Sequence, residues 1–77
     1  MIKDVGVLFE FAGEKGIFNW IKLEEKGFTK LKQQSVVDWC LDNFGIDGSH
    51  NWFYDYRHTK FYFRKYNDML LFILRWS

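Results

Sequence analysis

A chain of 77 residues with a formal net charge of +1 has room for one hydrophobic core, and it lacks the basic excess that marks a polyanion-binding tail. It is 48% hydrophobic, 22% aromatic and 27% charged, which excludes intrinsic disorder, and its longest wholly apolar run, Met69 to Leu74, is too short to span a bilayer. Cys40 is the single cysteine, so no internal disulfide staples the fold. That role falls to the Phe, Trp and Tyr side chains, each able to bury roughly 150–250 Å². These features point to a single domain over residues 1–77, cytoplasmic and not membrane-associated.

Asp4 to Phe11 alternates, with Val5, Val7, Phe9 and Phe11 on one side and Gly6, Leu8 and Glu10 on the other, the period of a strand. Ala12 to Gly16 reads as a turn. In Ile17 to Leu23, alternation of Ile17, Asn19, Ile21 and Leu23 favours a second strand, although Ile17, Trp20 or Ile21, and Glu24 also fit a helical stripe. Glu24 to Gly27 ends that element, and Phe28 to Gln34 is polar enough for a connection.

A helix follows from about Ser35 to Phe44. Ser35 with Asp38 resembles a capping box, and Val37, Cys40, Leu41 and Phe44 form an apolar stripe. Gly45 stands where a positive-φ cap is wanted, with Ile46 free to fold back on the last turn. After a loop to His50, Asn51 to Tyr66 carries eight aromatics and breaks at Arg57-His58-Thr59-Lys60, which reads as a β-hairpin. Pairing Tyr56 with Phe61, Tyr54 with Phe63 and Trp52 with Lys65 gives one core face. The other face then holds Phe53, Asp55, Arg57, Lys60, Tyr62 and Arg64, with Tyr66 just beyond. In Asn67 to Ser77 an unbroken apolar run has neither period; Asp68 as N-cap favours a short helix over a buried strand, with Met69 to Leu74 as core. The fold class is α+β: a small antiparallel sheet of about four strands, one helix (about 35–44) on one face, and a short apolar C-terminal helix or strand. Phe9, Phe11, Trp52, Tyr54, Tyr56, Phe61, Phe63 and Phe72 are the expected core aromatics.

No compact metal-ligand spacing links Cys40, His50, His58, Asp47 and Asp55, and helix periodicity buries the only thiol. Asp38 and Asp42 face solvent, and Gly13 and Gly16 are not followed by the Gly-Lys-Ser/Thr of a phosphate loop. Neither a catalytic residue, a metal site nor a cofactor is expected. Charge is segregated: Gln33 to Tyr56 has no Lys or Arg but contains Asp38, Asp42, Asp47 and Asp55, whereas Arg57 to Lys65 has four cations and no acid. Phe53, Arg57, Lys60, Tyr62, Arg64 and Tyr66 are therefore the candidate binding residues. They suit a protein partner, since Tyr and Arg make hot spots, or alternatively single-stranded nucleic acid, since cations neutralise phosphates while rings stack on bases. Lys60-Phe61-Tyr62-Phe63 resembles the aromatic strand of RNA-recognition domains but without the glycine and spacing of that motif.

Phe61-x-Phe63, four residues, Asp68, three residues, Phe72-x-Leu74-Arg75-Trp76 resembles the C-terminal ending of many small proteins of tailed bacteriophages, and Trp39-Cys40-Leu41 leading to Phe44-Gly45 is similar to helices in that company. The resemblance covers about the last quarter of the chain. It implies a short α+β sandwich and a non-enzymatic interaction protein, phage-encoded, that binds a host protein or nucleoprotein complex in the host cytoplasm and inhibits or modulates it. Oligomeric state is left open by the sequence, because exposed hairpin edges can pair two copies as readily as they bind a partner.

Overall fold

Apolar residues at both parities of Glu14–Leu23 make this segment, β2, a strand buried from two sides, the condition for a central position. In the computed structural model, which describes residues 2–11, 13–46 and 50–76, β2 pairs antiparallel with β1 (Ile2–Phe11) and with β4 (Lys60–Phe63). β3 (Trp52–Asp55) completes an open sheet in the order β1-β2-β4-β3. Helices α1 (Lys30–Phe44) and α2 (Tyr66–Trp76) cover one face. The α+β architecture expected from the pattern is the one observed, with residues 17–23 a strand and the C-terminal segment a helix.

The core lies between that sheet face and the helices. Ile21 and Leu23 of β2, Phe61 and Phe63 of β4 and Trp52 of β3 are fully buried against Val36, Cys40 and Phe44 of α1 and Met69, Phe72 and Trp76 of α2. The Phe72 ring centroid lies 5.0 Å from Phe61 and 5.3 Å from Phe63, and Trp39 meets Phe44, Phe72 and Trp76 edge-on. Each such ring, once buried, stabilises the fold by roughly 1.5–3 kcal/mol, which is how so short a chain does without a disulfide. α1 lies towards the β3 edge: Trp52 Nε1 donates to Gly45 O at 2.8 Å and Asn51 Nδ2 to Phe44 O at 3.1 Å. α2 packs over β2 and β4.

Several boundaries differ from the sequence expectation, each for a local reason. Helix α1 begins at Lys30, not Ser35, because the Thr29 hydroxyl accepts from Lys32 N at 3.2 Å and caps the helix there. Ser35 lies inside the helix and donates to Leu31 O instead. The buried stripe is Val36, Cys40 and Phe44, rotated from the expected one so that Leu41 and Ile46 are exposed. The first turn is tighter than expected. Phe11 already pairs with Glu14, Gly13 takes φ 81°, and Glu14 to Gly16 belong to β2. Of the sequence expectations, those on Ala12, Asp47 and Ser77 fall outside the described residues.

Three core assignments fail because of β1 and the β3–β4 turn, the first being Phe11, which the second shift of β1 turns to the helix-free face, where it is half-buried. Phe9 is 73% exposed: register shifts at Ile2/Asp4 and Leu8/Glu10 break the alternation of β1, and this outermost strand extends beyond the cover of the helices. Tyr56 is 67% exposed because the hairpin pairs Trp52 with Phe63, Tyr54 with Phe61 and Asp55 with Lys60, leaving Tyr56 to Thr59 as the turn. A shift of two residues preserves the faces, so the expected sorting of side chains survives the wrong register. In α2, Met69 and Phe72 are buried but Leu70, Leu71 and Leu74 are exposed, so the apolar run is only partly core.

Candidate functional site

The helix-free face of the sheet carries a second aromatic cluster. Even-numbered residues of β2 point to this side, as do Tyr62 of β4 and Phe53 of β3. Phe11 stacks on Tyr62 at 4.2 Å and meets Phe53 edge-on at 5.1 Å, while Phe18 lies within 5.9 Å of Phe11 and 6.1 Å of Phe53. The register shift after Leu8 brings Phe11 to this face. Phe18 is wholly buried here and Tyr62 is 5% exposed. Burial and the nearby Asp55 carboxylate push the Tyr62 hydroxyl above its ordinary pKa.

Two cations lie on rings of the same face. Lys60 Nζ stands 4.4 Å over Trp20, and the Arg64 guanidinium stands 5.0 Å over Phe18 while donating to Glu14 Oε2 at 2.9 Å. The structure thus brings Phe53, Lys60, Tyr62 and Arg64 together, as the sequence places them. It puts Arg57 in the adjoining turn and Tyr66 at the start of α2, both exposed. Phe11, Phe18 and Trp20 belong to the site and were missed; the signal that could have found the last two is that β2 is aromatic at Phe18 and Trp20 while Ile17, Ile21 and Leu23 of its other parity are aliphatic. The face is also less basic than the stretch from Arg57 to Lys65 suggests, since Glu14 pairs with Arg64.

The β3–β4 turn is held from both ends. The Asp55 carboxylate accepts from Arg57 N at 3.1 Å and contacts His58 Nδ1 at 2.8 Å. Thr59, at φ 50°, donates its hydroxyl to Leu23 O at 2.9 Å and accepts from Leu23 N with its carbonyl. Burial pushes the Asp55 carboxyl up, but the His58 hydrogen bond and charge, with the Arg57 and His58 N–H groups, outweigh it and hold the pKa below the ordinary value. A folded pKa below the unfolded one (about 3.9) gives stabilisation that is complete above the unfolded value and disappears as pH falls through the folded one. Urea titrations at about pH 6 and about pH 2 are therefore expected to show Asp55→Ala clearly less stable than the parent at the higher pH and nearly level with it at the lower.

Two shallow depressions of about 270 and 330 Å³ lie around the β2–α1 connection and are lined by Glu24, Lys26 and neighbouring residues, and neither holds a thiol, a hydroxyl nucleophile or a histidine. Cys40 is buried in the core. Among the described residues no group of three His, Cys, Asp or Glu side chains is placed to hold a metal ion, and no helix is long and apolar enough to cross a membrane. No protein-family model, curated protein or solved structure matches the chain.

Proposed function

We propose that the protein is a non-enzymatic interaction module whose helix-free sheet face, with the β3–β4 turn beside it, docks on an acidic surface of a protein partner. One observation carries this reading: the rings of the face are already packed together while the nearby cations are left to be matched. Arg57 and Lys60 make no ion pair among the described residues, whereas Glu14 is taken by Arg64 and Asp55 by His58. The unmatched charge is positive, and Tyr56 and Arg57 project from the turn, in the residue chemistry of interface hot spots. Since stacked rings need no reordering on binding, the entropic cost of docking is low. The likeness of the C-terminal pattern to small tailed-bacteriophage proteins makes a host protein, blocked or redirected by the contact, the expected partner.

Single-stranded nucleic acid fits the face less well. Bases stack on open ring faces, but Phe18 is closed off and Tyr62 is covered by Phe11. Two measurements test the proposal together. Affinity capture from bacterial host lysate, run with the parent chain and with Arg57→Glu plus Lys60→Glu, is expected to lose one acidic protein by roughly tenfold or more in the variant. Retention of every captured protein by the variant puts the site elsewhere. Titration of homopolymeric single-stranded DNA and RNA at low salt is expected to show no binding; tight binding that weakens steeply with salt would replace the protein partner with nucleic acid.

A further inference from the structure

The tip of the β1–β2 hairpin reaches beyond the rest of the sheet. Among the described residues β2 pairs with β4 only over Asn19 to Lys22, so no third strand borders the tip. Its own ladder breaks where it leaves the sheet: the pairing jumps from Leu8 with Phe18 to Glu10 with Lys15, and in that gap Gly16 takes φ 147°, a backbone conformation that other residues rarely adopt. Phe18 lies on the sheet side of the break and is wholly buried, whereas Phe11 and Glu14 lie beyond it. These two side chains hold the tip down on the helix-free face. The Phe11 ring stacks on Tyr62 at 4.2 Å, only 19° from parallel. The Glu14 carboxylate accepts from Arg64 Nη1 at 2.9 Å, with its other oxygen 3.7 Å from His50 Nδ1.

We propose that this tip is a self-inhibitory flap over a binding face for single-stranded nucleic acid, with Phe11 in the place of a base and Glu14 in the place of a phosphate. Lys60, Tyr62 and Arg64 follow one another at alternate positions as cation, ring and cation on one face. A single strand needs that series, since bases stack on ring faces and phosphates pair with cations. In the closed form the chain fills two of the three places itself: a flat ring covers Tyr62 and an anion holds Arg64. A swing about Gly16 and the Leu8/Glu10 shift removes both at once, and it leaves Phe18 in place beneath the Arg64 guanidinium, which stands 5.0 Å over that ring. The contacts that part are of a kind that parts readily. The ion pair joins two partly exposed side chains, so solvent recovers most of what it loses, and the stack on Tyr62 is made again by the incoming base. Only the open fraction binds, so the affinity of the parent chain is reduced by that fraction. The docking of a protein partner proposed above uses the closed face and stands or falls separately.

Fluorescence anisotropy of a labelled oligothymidylate of about a dozen nucleotides, at low salt, tests the flap. Phe11→Ala plus Glu14→Gln is expected to bind it at least about tenfold more tightly than the parent, and to lose that gain when Tyr62→Leu is added. Glu14→Gln alone keeps the Phe11 ring and its packing; it is expected to bind severalfold more tightly than the parent, and it decides the matter should the double variant not fold. Glu10→Gln makes the same change in net charge at an exposed position without freeing Arg64, so it should bind as the parent does. Equal binding by the parent and the folded flap variants overturns the proposal. An equal gain from Glu10→Gln also overturns it, since charge alone would then be the cause. So does a gain for an acidic peptide containing phenylalanine with none for the oligonucleotide, which would put a protein segment where the flap lies.

Discussion

Phe72→Ala is expected to remove about 3–5 kcal/mol of stability, a large share of the roughly 4–12 kcal/mol that a domain of this length possesses. The ring is fully buried and stands against Phe61, Phe63 and Trp39, so it joins the middle of the sheet to both helices. Its removal leaves a cavity bounded by flat rings that cannot collapse into it without losing their own edge-to-face contacts. Phe72→Leu keeps most of the volume and should cost about 1–1.5 kcal/mol. Two residues further along the same helix, Leu74→Ala should change the stability by no more than about 0.5 kcal/mol. Urea titration followed by circular dichroism measures all three. Equal losses for Phe72→Ala and Leu74→Ala would mean that α2 does not present this face to the sheet.

That contrast also shows why parts of the chain are legible and parts are not. The strands of the hairpin sort correctly from periodicity alone, since a two-residue error in register leaves Trp52, Tyr54, Phe61 and Phe63 on the core side. Met69 to Leu74 carries no such information, because a uniformly apolar run does not say which of its residues meet the sheet. Only the tertiary position of α2 over β2 and β4 separates Phe72 from Leu74. The start of α1 was hidden by two good caps six residues apart, Ser35 with its acidic N3 residue and Thr29 without one. Thr29 prevails because Leu31, Lys32 and Gln33 are themselves good helix formers, so nothing stops the helix from extending back.

The candidate site was half legible for a similar reason. Phe53, Lys60, Tyr62 and Arg64 are joined by a single hairpin, where sequence spacing fixes the face, and all four are found together. Phe11, Phe18 and Glu14 come from the other hairpin and reach the site through a register shift and a β2–β4 pairing, neither of which local pattern encodes. Their arrival changes the chemistry: Glu14 takes Arg64, Phe11 covers Tyr62, and a face that looks open and strongly basic becomes packed and less basic.

Gly6→Val is expected to destabilise the fold by about 1–3 kcal/mol, against the direction that strand preference alone predicts. Valine favours strands over glycine by up to about 1 kcal/mol, and on an edge strand with nothing packed on the glycine that term would prevail. Here Gly6 sits directly across from Trp20, and a Cβ built on it would stand 2.5 Å from Cε2 and 2.8 Å from Nε1 of the indole, with Cζ2 closer still. The indole lies over the bare backbone of β1 on one side and under the Lys60 ammonium on the other. It must therefore swing away to admit any side chain, and in doing so it releases the lysine from its ring. The cause is separable by a double-mutant cycle: in a Trp20→Ala background the obstruction is gone, and Gly6→Val should become neutral or mildly stabilising. A penalty that persists without the indole would place the difficulty in the β1 backbone. The same substitution reaches the proposed partner surface, since Lys60 without its ring is a freely moving cation. Binding through this face is thus expected to weaken in Gly6→Val even where the fold survives, although the substitution introduces no new charge and stands on the strand farthest from Arg57.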